Sequence, residues 1–352
     1  MTSRARRPTL WDVARVARVS AKTVSRVLNG ERGVAAATTA RVRAAITQLG
    51  FERNEAARQL RTGSRPRART LCLLVPELDD PDRAGLAAGL AGAVYARGYS
   101  LLLTPAYGSA EREAELVHSL VEGGAMGVFL ISEAADHRYL IPYLRGGLTA
   151  VFLLHPAAQM NADCVLVDEQ EAARLATQHL LRHWHRRIAF LGQRPEADGT
   201  GRQLEGYQRA LAASGLAADP ELVRTAVHDP AGAQAAAREW LAAPSPPTAI
   251  VVGGGRLAVA ASRVLAGSGM GLVALGEVPD ADLLRMPLTS VSCSPPELAT
   301  RAAEVLLQRL EGRAGPPQKV VLTPQLEARG SGEVRPGVTR PAPEAKRAWF
   351  RR

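Results

Sequence analysis

Cysteine is scarce: three residues in 352, Cys72, Cys164 and Cys293. They lie far apart, without C-x-x-C spacing or a paired histidine. That excludes a disulfide framework and a thiolate zinc site, and it points to reduced thiols in the cytoplasm. Long apolar runs are absent too. No stretch of about 18 apolar residues occurs, so no membrane-spanning helix is expected. The first residues, Met1 to Pro8, are basic and hold no apolar segment, so no secretory signal is expected. Catalytic fingerprints are missing as well: there is no nucleophile elbow and no dinucleotide-binding glycine pattern. Gly253-Gly254-Gly255 lacks the Gly-Lys-Ser/Thr ending of a phosphate loop. His183 and His185 have no third ligand nearby. The expectation is therefore a protein that is not an enzyme and carries no cofactor and no metal.

What is present fits a folded protein: 46% hydrophobic and 22% charged residues, enough to bury a large core. The length predicts two or three domains. The net charge of +10 is informative once it is divided along the chain. Residues 1–70 hold 16 Lys and Arg against 4 Asp and Glu, a net of +12, and the remaining residues come to −2. A short basic head on a near-neutral body is the electrostatic footprint of nucleic-acid binding by the head alone.

The head also has helical periodicity. Leu10, Val13, Ala14 and Ala17 share one apolar face, and Thr9 with Asp12 reads as a helix start. A second helix starts at Ser20, with Val24, Val27 and Leu28 on its apolar face, and stops at Asn29-Gly30. A third holds Val42, Ala45, Ile46 and Leu49 and stops at Gly50. The short break at Arg18 to Ser20 is the spacing of a helix-turn-helix. Asn54 to Leu60 has little apolar surface and predicts a marginal helical segment. A polar linker with breakers follows, from Arg61 to Arg67.

From Thr70 the pattern alternates. Strand-like runs are expected at 71–75, 101–103, 127–131, 150–154, 165–167, 188–191, 249–252, 272–275 and 320–322. Helix-length segments such as 84–96, 111–122 and 171–181 separate most of them. This predicts a doubly wound parallel α/β core, long enough to require two lobes. The expected organisation is a DNA-binding domain at 1–52, a hinge and linker at 53–69, and a core at 70–332. Lobe 1 takes about 70–166 and 293–321, and lobe 2 about 167–292 and 322–332. Residues 333–352, with three prolines and a basic excess, are expected to form a disordered tail.

The run from Thr9 to Asn29 closely resembles the head of the lac-repressor family of transcriptional regulators. Val34, Thr38, Arg41, Val42, Ala45, Leu49-Gly50-Phe51, Asn54, Ala57, Arg58 and Leu60 extend the likeness. Within the core the similar stretches are Gly98 to Leu103, His185 to Phe190, Leu204 to Tyr207, and Pro287 to Val291. The resemblance implies a helix-turn-helix head on a two-lobed, periplasmic-binding-protein-like core. It also implies a homodimer, a palindromic operator in double-stranded DNA, a repressor acting in the cytoplasm on the nucleoid, and a small effector in the cleft. The implied DNA-contacting residues are Leu10, Ser20, Ala21, Lys22, Thr23, Ser25, Arg26, Asn29, Thr38, Phe51, Asn54, Ala57, Arg58 and Leu60. Lys22 and Arg26, one turn apart, suit guanine edges, whereas Thr23, Ser25 and Asn29 suit phosphates. Leu60 would be the wedge that kinks the operator centre.

The sequence departs from the family pattern in two regions. In the head, Arg18 replaces a turn glycine, Ala35 a capping serine and Arg53 a proline. In the cleft, Leu154, Gln203, Gly255 and Gly276 stand where the family commonly has Asp, Arg, Asp and an acidic residue. Asp79, Arg202, Gln203, Arg256 and Glu277 remain as candidate effector-binding residues. Free hexoses and pentoses are accordingly expected to bind weakly. Two alternatives stay open from the sequence: a regulator of this fold without small-molecule control, and a solute-binding protein.

Overall fold

Hydrophobic patterning builds two separate units, residues Met1–Pro66 and Arg67–Arg352, each described here by itself. The computed structural model describes residues 10–28, 35–49, 69–78, 81–193 and 198–337. The segment 53–68, including the expected hinge, lies outside the described residues.

In the first unit, α1 (Leu10–Ala17), α2 (Ala21–Leu28) and α3 (Ala36–Leu49) enclose a small core. Val13, Ala14, Ala17, Val24, Val42 and Ala45 are buried there, with Val19, Val27, Ile46 and Leu49 packed against them. The α1–α2 turn is tight. Val19 N–H donates to the Ala14 carbonyl at 3.0 Å and Arg18 N–H to that of Arg15 at 3.3 Å. This six-to-one, five-to-two pair is a Schellman ending, which requires a left-handed residue at Arg18. Its φ is 51°. A side chain in that region costs about 1 kcal/mol or more, a cost glycine avoids. Arg18→Gly is therefore expected to stabilise the head by about 1 kcal/mol, seen as slower amide exchange in α1 and α2. Unchanged exchange would remove the strain argument. Ser20 caps α2, its hydroxyl accepting from Thr23 N–H at 3.1 Å. Ala35 precedes α3, where it offers only its carbonyl, which accepts from Thr38 and Thr39 N–H at 2.9 and 3.0 Å.

The second unit contains two sheets. The first orders β1 (Thr70–Val75), β2 (Ser100–Pro105), β3 (Gly127–Leu130), β4 (Thr149–Leu153), β5 (Asp163–Val167) and β11 (Lys319–Leu322) as β2-β1-β3-β4-β5-β11. The second takes β6 (Ile188–Leu191), β7 (Val223–Arg224), β8 (Ala249–Gly253), β9 (Gly271–Leu275), β10 (Thr289–Ser292) and β12 (Gln325–Glu327) in the order β7-β6-β8-β9-β10-β12. Helices cover both faces of each sheet, which is why the strands read as nearly continuous apolar runs. In lobe 1, Leu71, Leu73, Phe129 and Val151 face α4 (Pro81–Tyr95) and α11 (Pro295–Leu310). The alternate residues Cys72, Leu74, Val128 and Phe152 face α5 (Ala110–Glu122) and the short α6 (Ile141–Arg145). Lobe 2 is built likewise. Phe190, Val251 and Val273 face α7 (Glu169–Arg182) and α8 (Asp198–Ala213), and Ile250 and Leu272 face α9 (Pro230–Ala242) and α10 (Gly255–Leu265).

Both sheets are parallel except that β12 runs antiparallel to β10. An antiparallel edge strand needs no crossover helix, so β12 enters lobe 2 directly after β11 leaves lobe 1. The chain thus passes between the lobes three times: after β5, between β10 and α11, and between β11 and β12. Two of these crossings are tied together by Asp168 N–H, which donates to the Leu322 carbonyl at 3.0 Å. A buried Arg309–Asp163 pair fastens α11 to β5, with both guanidinium contacts at 2.9 Å. Gln318 N–H adds a bond to the same carboxylate at 2.7 Å.

The expected start of the tail needs correction. Glu333 is not part of a loose segment. It accepts from Thr289 Oγ1 at 2.9 Å and Gly330 N–H at 2.8 Å, and it meets His179 Nε2 at 2.6 Å. Proline content and charge hid a residue held by polar contacts. Residues 338–352 lie outside the described residues.

Candidate functional site

The head presents one polar helix face. With Val24 and Val27 turned into its core, α2 leaves Lys22 exposed and Thr23, Ser25 and Arg26 half-buried. No acidic residue occupies its first turn. The positive end of the helix dipole and the basic side chains therefore act in the same sense, toward a phosphate backbone. Leu10 and Ala21 open α1 and α2, exposed Ser20 caps α2, and half-buried Thr38 lies in the first turn of α3. Asn29, Phe51, Asn54, Ala57, Arg58 and Leu60 lie outside the described residues.

The second site is the cleft between the two lobes. Open parallel sheets bind ligands beyond the carboxyl ends of their strands, and the cleft residues sit there. Leu154 and His155 follow β4, Glu169 follows β5, Gln193 follows β6, Gly254 follows β8 and Glu277 follows β9. They enclose a cavity of about 200 Å³. A second chamber of about 240 Å³ shares Arg83, Glu133, Gln193 and Gly254 with it and includes Arg256.

Of the residues expected here, Gln203 and Glu277 line the first chamber and Arg256 the second. Arg202 is exposed and stands outside both linings, as its place one step round α8 from Gln203 requires. Asp79 lies outside the described residues. Several lining groups were not expected from the sequence: Arg83, Glu133, His155, Glu169, Thr200, Ser292 and Cys293. For Glu169 the only local signal was misleading. Asp168 caps α7 through a 3.0 Å bond from Glu171 N–H, so Asp168-Glu169 reads as an ordinary acidic helix start.

The geometry centres on Glu169 and Gln203. Gln203 Nε2 donates to Glu169 Oε2 at 2.7 Å. Its other amide atom, Oε1, is buried without a hydrogen-bond partner. It lies only 2.5 Å from where a Cβ would stand on Gly253, so the glycine admits it. Glu277 Oε2 accepts from Ser292 Oγ at 2.9 Å. Arg83 pairs with Glu133 at 3.6 Å. Burial pushes the Glu169 carboxyl above the usual carboxylate range, with Asp168 adding to the rise and Gln203 and Arg202 opposing it. Burial, helped by the charges of Glu297, Glu169 and Asp168, pushes the Cys293 thiol up to about 12, so it is a neutral thiol and a poor nucleophile. Leu154 adopts φ 66°, and His155 N–H donates across it to the Leu153 carbonyl at 2.7 Å. Such a γ-turn on a leucine stores strain of about 1–3 kcal/mol and aims His155 at the cleft.

One constellation elsewhere looks catalytic. Ser132, His137 and Glu113 are buried together in lobe 1. His137 Nδ1 accepts from Ala158 N–H at 2.8 Å, so Nε2 bears the proton and donates to Ser132 Oγ at 2.9 Å. A base that must take the serine proton needs the opposite tautomer. Burial also lowers the pKa of His137 and keeps the ring neutral. The group is a satisfied polar core with no solvent face. His183 and His185 are engaged separately, by the His179 carbonyl and by Thr248 Oγ1. Among the described residues no cluster of three His, Cys, Asp or Glu is placed to hold a metal ion, and no helix is long and apolar enough to cross a membrane.

Known proteins match both units. Residues 9–54 fit the profile of bacterial regulatory proteins of the lacI family, and residues 177–332 that of the periplasmic binding protein-like domain. The HTH-type transcriptional regulator MalR of Streptomyces coelicolor is 31% identical over 343 residues, spanning 93% of this chain and 97% of its own. The regulator CelR of Thermobifida fusca is 33% identical over 348 residues, spanning 94% and 99%. Among solved structures, a CelR–cellobiose complex is 30% identical with a TM-score of 0.68, covering 92% of this chain and all of that one. The lac repressor dimer bound to operator reaches a TM-score of 0.79 at 23% identity, a likeness of fold, over 93% and 99%. With its helix-turn-helix head, its two-lobed α/β core and relatives matched over nearly their whole length, the chain belongs to the LacI family of DNA-binding transcriptional regulators.

Proposed function

We propose that the protein is a homodimeric repressor that binds a palindromic operator, and that the occupant of the cleft sets its affinity for DNA. The polar face of α2 carries the first half of this reading. A dimer places two such helices on half-sites one helical turn apart. In this reading Lys22 and Arg26 meet base edges, Ser20, Thr23, Ser25 and Thr38 meet phosphates, and Leu60 wedges into the central step. The interlobe crossings support the second half. Glu169 follows one crossing, and Ser292 and Cys293 lie on another. A ligand held by them therefore favours one lobe arrangement over the other, as population shift requires. The core binds its ligand without converting it, in keeping with the tautomer of His137 and the neutral Cys293 thiol. The protein acts in the cytoplasm, where its DNA is.

Footprinting the full chain on selected DNA tests the reading. A two-fold symmetric footprint is expected, with affinity falling steeply as salt rises. Arg26→Ala is expected to cost about 1–3 kcal/mol and to relax preference at one base pair per half-site. Leu60→Ala is expected to weaken operator binding while leaving non-specific binding nearly intact. A footprint without two-fold symmetry, or an unchanged specificity ratio in both variants, would overturn the assignment.

A further inference from the structure

We infer that the cleft takes a small organic cation, a protonated amine or amidine on a compact apolar body, and not a neutral sugar. This rests on the effector reading of the cleft given above. The first ground is charge. Arg83 is the only Arg or Lys among the described residues lining the first chamber, and Glu133 already pairs with it. Glu169 and Glu277 remain as acidic groups with no cationic partner in that lining, the charge of Arg202 acting on Glu169 from outside it. His155 and Glu169 converge at the start of α8, each within 3.8 Å of where a Cβ on Gly199 would stand. The lobe 1 wall thus reaches the carboxylate of lobe 2.

The second ground is the hydrogen-bonding bias of the chamber. Two of its side-chain donors are already spent within the wall. The Gln203 Nε2 donor is already engaged by Glu169, and the Ser292 hydroxyl by Glu277. The buried Gln203 Oε1 accepts from nothing. A buried acceptor without a donor is costly, and a ligand N–H that reached it after a small shift of the side chain would remove that cost. Burial also disfavours the Glu169 charge, and a cation beside it restores that charge. A neutral sugar instead brings hydroxyls that can reach the same acceptors but no charge to set against Glu169 and Glu277.

The third ground is the remainder of the lining. Leu86, Leu154, Leu275, Val291 and Leu298 give the chamber an apolar floor. Its volume of about 200 Å³ lies below the roughly 300 Å³ at which pockets begin to hold drug-sized molecules. A single ring with one charged group suits that space.

The test uses the full chain with benzylamine, which is protonated at neutral pH, its neutral isostere benzyl alcohol, and glucose. Calorimetry and thermal shift read the binding. Benzylamine is expected to bind at least about tenfold more tightly than either neutral probe. Glu169→Gln is expected to lose about tenfold in benzylamine affinity, and Glu277→Gln serves as a second variant if the first fails to fold. Arg238→Gln, exposed on α9 and outside both linings, is expected to change little. Equal or tighter binding of benzyl alcohol or glucose would overturn the inference. So would unchanged affinity in both folded Glu variants, or no binding of benzylamine, benzamidine or agmatine below about 10 mM. Operator affinity measured with and without benzylamine separates the two claims. A cation that binds but leaves DNA affinity unchanged defeats the effector reading and spares the ligand class. An operator-binding protein that ignores all three cations defeats the ligand class alone.

Discussion

Replacing Gly255 by Asp is expected to destabilise the core by about 3 kcal/mol or more, lowering its melting temperature by roughly 5–10 °C. The family resemblance aligns this glycine with an effector-binding Asp, so the substitution looks like a restoration. The backbone forbids it. A Cβ on Gly255 would stand 2.1 Å from the Glu277 carbonyl oxygen. That oxygen belongs to the loop after β9 and has no flexible end to swing away. An Asp in the first turn of α10 would gain about 0.3–1 kcal/mol from the helix dipole, too little to offset the overlap. Its carboxylate would also add like charge to a wall already acidic with Glu277. The loss of the family's acidic group is thus built into the path of the chain. A Gly255→Asp protein that melts with the wild type, or that gains sugar binding, would contradict this account.

Loss of the Glu333 carboxylate is the second large effect. Burial would raise its pKa. Hydrogen bonds from His179, Thr289 and Gly330, with the charge on His179, instead hold the carboxyl at about 2. An unfolded glutamate titrates near 4.3. A depressed folded pKa means the stabilisation is fully present above about 4.5 and fades as pH falls toward 2. Glu333→Gln is therefore expected to cost roughly 2–3 kcal/mol at pH 7 and progressively less in acid. Urea unfolding at pH 7 and pH 3 checks it, since the gap between the two proteins should shrink. Truncation supplies a second comparison. A chain ending at Gly337 should melt as the full one does, whereas a chain ending at Gly332 should not. A gap that does not change with pH would assign the effect to packing alone.

Much of this architecture was legible because burial writes itself into period and polarity. Strands covered on both faces, such as 71–75 and 249–252, read as apolar runs, and the structure places β1 and β8 there. Three strands escaped notice, each for a local reason. The sequence of β10 is Thr289-Ser290-Val291-Ser292, mostly hydroxyl side chains that are satisfied by contacts such as Arg329 to Ser290 at 2.8 Å. The edge strand β12 is Gln325-Leu326-Glu327, and β7 is two residues long. The helix-turn-helix was legible down to Arg18, because a left-handed turn residue is a local property of the backbone. The cleft was legible mainly in what it lacks. Gln203 and Glu277 came from comparison with a family pattern. Glu169, His155 and Arg83 lie far apart in sequence and meet only when two sheets face each other, so no periodicity announces them.

The three passages between lobes also govern how the protein can be made. Neither lobe is a continuous piece of chain. The first sheet lacks its β11 edge until residue 322 has emerged, and the second lacks β12 until 327. The helix α11, which seals one face of the first lobe, arrives after most of the second lobe has been synthesised. The small head closes its core by Leu49, whereas β1 waits nearly the whole length of the core for its layer to close. During that wait α4, α5 and α6 already pack on β1, β3 and β4, but the part of their apolar face that α11 will seal stays open. The cost of this topology falls on nascent chains, as a long interval of exposure to chaperones and to aggregation.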